Sequence, residues 1–276
     1  MSFCNRLHVI FESCENQEGR SHTARPYGLT KPEIARISFR SLWVALSNSQ
    51  FPEWRLAAYD NGSSEEFKAW MHKHSWAFLA PDGVPVHPVK DGKRSLADAL
   101  RIVDTMDPHD EDWVLIAEDD QVWAGDALYL IRDFINTYSG DFVLVPYVQP
   151  YLVWSGLQER QCGAQFEVVV DGVGEVPRLD LARAFKSEKP RVVLRSRLHH
   201  WMQVFWANGT IIVKLSMLRA WCAEGGYSHE FVERKLATTV PGFAPIPSLS
   251  THFQEGCESP GFNQRITEEW VRGFLR

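Results

Sequence analysis

The apolar run Trp113-Val114-Leu115-Ile116-Ala117, which stops at Glu118-Asp119-Asp120, constrains the fold more than any other stretch of this chain. A short run of this kind that returns at once to Val122-Trp123 reads as a buried strand. Its acids are then carried to the carboxyl edge of a sheet, where open α/β sheets bind ligands. Three neighbouring carboxylates repel one another and resist desolvation, so something cationic is expected beside them. A hard divalent ion carrying a diphosphate is the simplest candidate, because Mg²⁺ or Mn²⁺ takes carboxylate oxygens and keeps positions open for phosphate.

The surrounding pattern supplies the rest of such a sheet. Leu7–Glu12 reads as a first strand, followed by a polar connection over 13–29 that is long for a strand-to-helix link. Thr30-Lys31-Pro32-Glu33 then carries a capping box with proline at an early helical position, and Ile34, Ile37, Leu42, Ala45 and Leu46 approximate one helical face. Trp54–Tyr59 reads as a second strand that ends at Asp60-Asn61-Gly62-Ser63-Ser64. Helices are expected over Glu65–His74, Ser95–Asp104 and Gly125–Tyr138, and a further strand over Asp141–Tyr147. This alternation predicts a mostly parallel sheet with helices on both faces.

The second half is less regular. Phe166–Val170 reads as a strand, Arg178–Phe185 as a short helix or loop, and Arg191–Leu198 as a β-like stretch bearing Arg191, Arg195 and Arg197, with His199 and His200 next to it. Trp201–Val213 reads as a strand pair turning at Asn208-Gly209. A helix over Ser216–Ala223 ends at Gly225-Gly226, and a last helix is expected over Thr267–Phe274.

Composition narrows the function classes. At 276 residues, 45% hydrophobic and 23% charged, the chain reads as one α/β unit of ordinary globular make-up. A net charge of -6 speaks against a nucleic-acid partner held by a broad basic face and leaves room for a local basic groove. The five cysteines, Cys4, Cys14, Cys162, Cys222 and Cys257, are scattered without a CxxC, which suits reduced thiols in a cytoplasm-like compartment. No signal-peptide core or run of about 20 apolar residues occurs, so any membrane association is expected to be peripheral. Eleven tryptophans offer either packing or stacking platforms for sugars or bases. There is no G-x-G-x-x-G after the first strand and no P-loop.

The order of strand, helix, strand ending in Asp60-Asn61-Gly62-Ser63, helix, and strand ending in Glu118-Asp119-Asp120 resembles the GT-A fold of nucleotide-sugar-dependent glycosyltransferases, closest to the inverting family-2-like group. Asp60-Asn61-Gly62-Ser63 is similar to that group's D-D-G-S segment, and Glu118-Asp119-Asp120 to its DXD-type motif with a longer first acid. His252 resembles the late metal-binding histidine of many GT-A enzymes. The resemblance implies residues 1–147 as a nucleotide-sugar-binding half and 148–276 as an acceptor-binding half. Asp60 and Asn61 are expected at the nucleoside, Asp119 or Glu118 at the ribose or a metal-bound water, and Asp120 with His252 on Mn²⁺ or Mg²⁺. Arg36, Arg40, Lys93 and Arg94 are expected near phosphate. The acceptor base falls among Glu224, His229 and Glu230, with Glu230 preferred.

The implied activity is transfer of a sugar from a nucleotide diphosphate sugar, a UDP-sugar first of all, to a hydroxyl of a glycan, lipid-linked sugar, protein or modified DNA base. A sugar nucleotidyltransferase and a non-catalytic carbohydrate-binding protein are the alternatives. The first lacks a Gly-rich basic loop after strand one, and the second does not explain intact acids at two strand ends.

Overall fold

The computed structural model describes residues 6–13, 29–73, 83–89, 96–147, 167–169, 174–175, 192–204, 207, 209–225, 229–246, 248–252 and 274. Four parallel strands form its first part: β1 (Arg6–Ser13), β2 (Glu53–Asp60), β3 (Val86–Pro88) and β4 (Trp113–Glu118), in the order β3-β2-β1-β4. The second part adds β7 (Val143–Leu144), β8 (Glu167–Val169), β10 (Val192–Arg195), β11 (His200–Val204), β12 (Ile211–Lys214) and β13 (Gly242–Ile246). They extend the sheet from β4 in the order β12-β7-β13-β11-β10-β8. Two short ladders stand apart, β5 (Gln121–Trp123) with β14 (Ser250–His252), and β6 (Tyr138–Ser139) with β9 (Gly174–Glu175).

The described helices are α1 (Lys31–Ser47), α2 (Glu65–Lys73), α3 (Leu96–Asp104), α4 (Ala127–Thr137), α5 (Leu215–Ala223) and α6 (His229–Thr238). They cover both faces of the sheet, and the period-two alternation of the central strands shows which. Leu7, Val9 and Phe11 of β1 join a core with α1, α2 and α4, whereas Ile10 joins another with α3, α5 and α6. Trp113, Leu115 and Ala117 of β4 face the first core; Val114 and Ile116 face the second. Strands buried on both sides need such double cover. The result is a mixed α/β fold with a large, mostly parallel central sheet, consistent with the GT-A-like expectation. No described helix is long and apolar enough to cross a membrane.

Helix α1 begins where the sequence places it. Thr30 Oγ1 accepts from Glu33 N–H at 3.4 Å, and Glu33 Oε2 accepts from Thr30 N–H at 2.7 Å, closing the capping box. The Thr30 N–H and the Thr30 hydroxyl, which also donates to Glu33 Oε2 at 2.7 Å, hold the Glu33 carboxyl below its ordinary range. Thr30→Ala is therefore expected to cost about 1 kcal/mol. A depressed carboxyl pKa contributes stability that is present above its unfolded value and is lost as pH falls through the folded one. The Thr30→Ala penalty, measured by thermal melts at pH 7 and pH 3, should thus shrink at the lower pH.

The expected hairpin at Asn208-Gly209 does not form. β11 pairs with β10 and β13, and β12 pairs with β4 and β7, so the two strands are not neighbours. A local turn signal is overridden here by long-range pairing of β12 with the acid-tipped strand. The expected strand over 141–147 is present as the shorter β7. The expected segments over 178–185 and 267–273 lie outside the described residues.

Candidate active site

Register brings the two acid-bearing strand ends to one level. Ser13 pairs with Asp60, and Glu12 pairs with Tyr59 on one side and Glu118 on the other. Asp60 and the residue after Glu118 therefore flank Ser13 at the carboxyl edge, two strand spacings or roughly 10 Å apart along the sheet. Asn61 N–H donates to Ser13 C=O at 2.8 Å and Val89 N–H to Asp60 C=O at 2.7 Å, tying the three strand ends together.

The pleat sorts the acids by face. On the α1–α2 side, the Asp60 carboxylate accepts from Ser63 N–H at 3.2 and 3.3 Å and lies 3.8 Å from Lys68 Nζ. Gly62 between them sits at φ 80°, in the left-handed region that favours glycine. Asp60 is thus a buried turn-former, the local role its Asn-Gly-Ser context also allows.

Asp119, also buried, receives Lys31 Nζ at 2.5 Å. Lys31 opens α1, and its ammonium is buried at the same edge. Part of the cation that three clustered acids call for is therefore the chain's own. Sequence reasoning missed this partner, although the capping box sets Lys31 at the helix start.

On the opposite side stand Glu12, Tyr59 and Glu118. Tyr59 Oη donates to Asp98 Oδ2 at 3.0 Å, and burial, then Asp98, drives its phenol far up, so it remains a protonated donor. The Glu118 backbone is fixed on both polar groups: its N–H donates to Thr210 Oγ1 at 3.0 Å and its C=O accepts from Ser38 Oγ at 3.2 Å.

Beyond Asp120 the chain turns into β5, which pairs antiparallel with β14. Thr251 lies opposite Val122 and His252 opposite Gln121. The ladder therefore sets the backbone of His252 one position from Asp120, across 132 residues of sequence. Ser250 Oγ bonds Gln121 Oε1 at 2.9 Å within the same ladder. Among the described residues no three His, Cys, Asp or Glu side chains form a metal shell by themselves.

The other candidates separate. Arg36 and Arg40 stack on Trp70 at 5.7 and 5.6 Å, with Arg36 also on Glu66 and Arg40 on the Phe274 carbonyl, so both serve packing. Lys93, Arg94 and Arg191 lie outside the described residues. Glu224 is paired with Lys235 at 2.5 Å. Glu230 and His229 occupy the first turn of α6. Trp43, Trp113, Trp123, Trp201 and Trp221 are buried, so these five pack rather than present faces to solvent.

Of the basic cluster, His199 is buried, while Arg195, Arg197 and His200 are exposed. Buried Asp133 fastens this corner, accepting from Arg197 Nε at 2.8 Å and Leu198 N–H at 3.0 Å. β10 runs in the same direction as β4, because β12 and β11 are antiparallel to their neighbours between them. Arg195 thus ends β10 at the acid-bearing edge, five spacings or roughly 24 Å from β4.

No protein-family model matches the chain, and no curated protein matches it. Among solved structures, a nucleotidyl transferase from Methanothermobacter thermautotroptrophicus is similar over 97% of this chain and 98% of its own, at 12% identity and a TM-score of 0.47.

Proposed function

We propose that this chain is a metal-dependent glycosyltransferase that moves a sugar from a nucleotide diphosphate sugar, in the first instance a UDP-sugar, to an acceptor hydroxyl with inversion. One observation supports the reading most: the β5–β14 ladder pairs the His252 backbone with Gln121, the residue after Asp120, just beyond the acid-tipped end of β4. The donor set suits Mn²⁺ or Mg²⁺, which are held by one or two carboxylates plus substrate phosphate. Asp120 and His252 would hold the ion, with Asp119 engaged instead by Lys31. When bound, such an ion neutralises charge growing on the diphosphate leaving group.

The chain's own residues would do the rest. Asp60 and Asn61 shape the turn that receives the nucleoside. The acceptor oxygen attacks the anomeric carbon as the bond to the diphosphate oxygen breaks, and the hydroxyl proton passes to the Glu230 carboxylate. Arg195, Arg197 and His200, on the same edge and far from the acids, suit an anionic group on an extended acceptor. A cytoplasm-like setting is part of this reading, since the five cysteines are scattered and form no CxxC.

The test is release of free UDP from a panel of UDP-sugars with and without Mn²⁺. Metal-dependent release is expected, and Glu230→Gln should keep UDP affinity while losing about 10²–10⁴-fold in transfer. Pyrophosphate released from a nucleoside triphosphate and a sugar phosphate would instead identify a nucleotidyltransferase. Glycan binding without turnover of any donor would identify a binding protein.

A further inference from the structure

β12 runs antiparallel to β4 with Ile211 opposite Ile116, so the same pairing carried two residues back sets Gly209 opposite Glu118. A methyl group added at Gly209 would lie 1.7 Å from Glu118 Oε1, 2.0 Å from Cδ and 2.6 Å from Cγ. The side chain of Glu118 therefore occupies the space that any other residue at 209 would need. Thr210, the next residue, accepts the Glu118 amide, so two consecutive residues of the same corner are built around one acid.

The direction matters for the site. Glu118 shares its face with Val114 and Ile116, over the core formed by α3, α5 and α6. Asp60 and Asp119 are bound to Lys68 and Lys31 on the opposite face. The acids that resemble one motif in sequence are thus divided, and Glu118 reaches across the boundary from β4 onto β12.

We propose that Gly209 is a positioning residue that, by carrying no side chain, lets the Glu118 carboxylate lie over the second half of the chain. There it meets the transferred sugar or the acceptor rather than the nucleoside. The side chain of Glu118 and the missing side chain of Gly209 form a matched pair, with Cγ, Cδ and Oε1 of the acid all within 2.6 Å of where a methyl at 209 would sit. The assignment to sugar or acceptor rests on the glycosyl-transfer reading above; the steric pairing does not.

Four proteins test it: wild type, Gly209→Ala, Glu118→Ala, and the double variant. Because the clash is with a flexible side chain and not with backbone, Gly209→Ala should fold normally. It should bind UDP with Mn²⁺ like the wild type and lose on the order of 10²-fold in UDP-sugar turnover, as displaced groups do. In the Glu118→Ala background the same substitution should cost nothing further, since Cγ, Cδ and Oε1 are all gone. Additive losses in the double variant, or wild-type turnover by Gly209→Ala, would overturn the pairing. An equal loss of UDP affinity in Gly209→Ala would return Glu118 to the nucleoside side and overturn its placement. If the wild type turns over no nucleotide sugar, the functional reading fails separately. The pairing is then decided by a crystal structure of Gly209→Ala, where a displaced Glu118 side chain is expected and an unmoved one contradicts it.

Discussion

Asp120→Ala is expected to abolish metal-dependent nucleotide binding and to lower UDP-sugar turnover by at least about 10³-fold, while the protein stays folded. The size follows from the proposed role. An interaction realised on the leaving group is worth several kcal/mol, and each 1.36 kcal/mol is tenfold in rate. The fold should survive because Asp120 stands in the turn between β4 and β5, outside both apolar cores. Circular dichroism would establish folding, and calorimetric titration of UDP with Mn²⁺ would measure the binding. Asp120→Ala with wild-type turnover would remove this residue from the metal site.

Lys31→Met carries the largest expected effect on stability. It leaves the Asp119 carboxylate, only 2% exposed, without its 2.5 Å ammonium partner. Removing one member of a buried ion pair costs about 3–5 kcal/mol, because the remaining charge stays desolvated without its opposite charge. Replacing both, in Lys31→Met with Asp119→Asn, removes the charge instead of stranding it. The double variant should recover most of the loss, giving a large coupling energy in a double-mutant cycle. Denaturant melts of the four proteins decide it. A cost below about 1 kcal/mol for Lys31→Met would mean that the pair behaves as a solvated surface contact.

Much of the first half is legible in the sequence because its signals are local. The apolar run of β4, the Thr30–Glu33 capping box and the turn after Asp60 each specify their own structure within a few residues. What decides the site is not local. Lys31 reaches Asp119 across 88 positions, Thr210 reaches Glu118 across 92, and β14 finds β5 only when the chain has nearly ended. Two strands as short as β5 and β14 carry no periodic signal long enough to read. Asn208-Gly209 misleads for the complementary reason. Its glycine answers to a side chain on another strand, and a glycine required by a distant contact looks the same in sequence as one required by a turn.

The basic stretch from Arg195 to His200 divides in a way that periodicity does not foretell. Its exposed cations flank a turn held from below by Asp133, a buried helical acid 64 positions away from Arg197. An acid inside an apolar helix face gives no indication in sequence of which distant turn it serves.

The most direct test is a thermal-shift titration of the wild-type protein with UDP, GDP, TDP and CMP, each with and without Mn²⁺. Binding to the folded state alone stabilises by about 2.7 kcal/mol at a hundred times Kd. A rise in Tm is expected with UDP and Mn²⁺ together, and little or none with either alone or with CMP. Equal shifts with and without Mn²⁺, or no shift with any diphosphate, would contradict a metal-dependent nucleotide site at the acid-bearing edge.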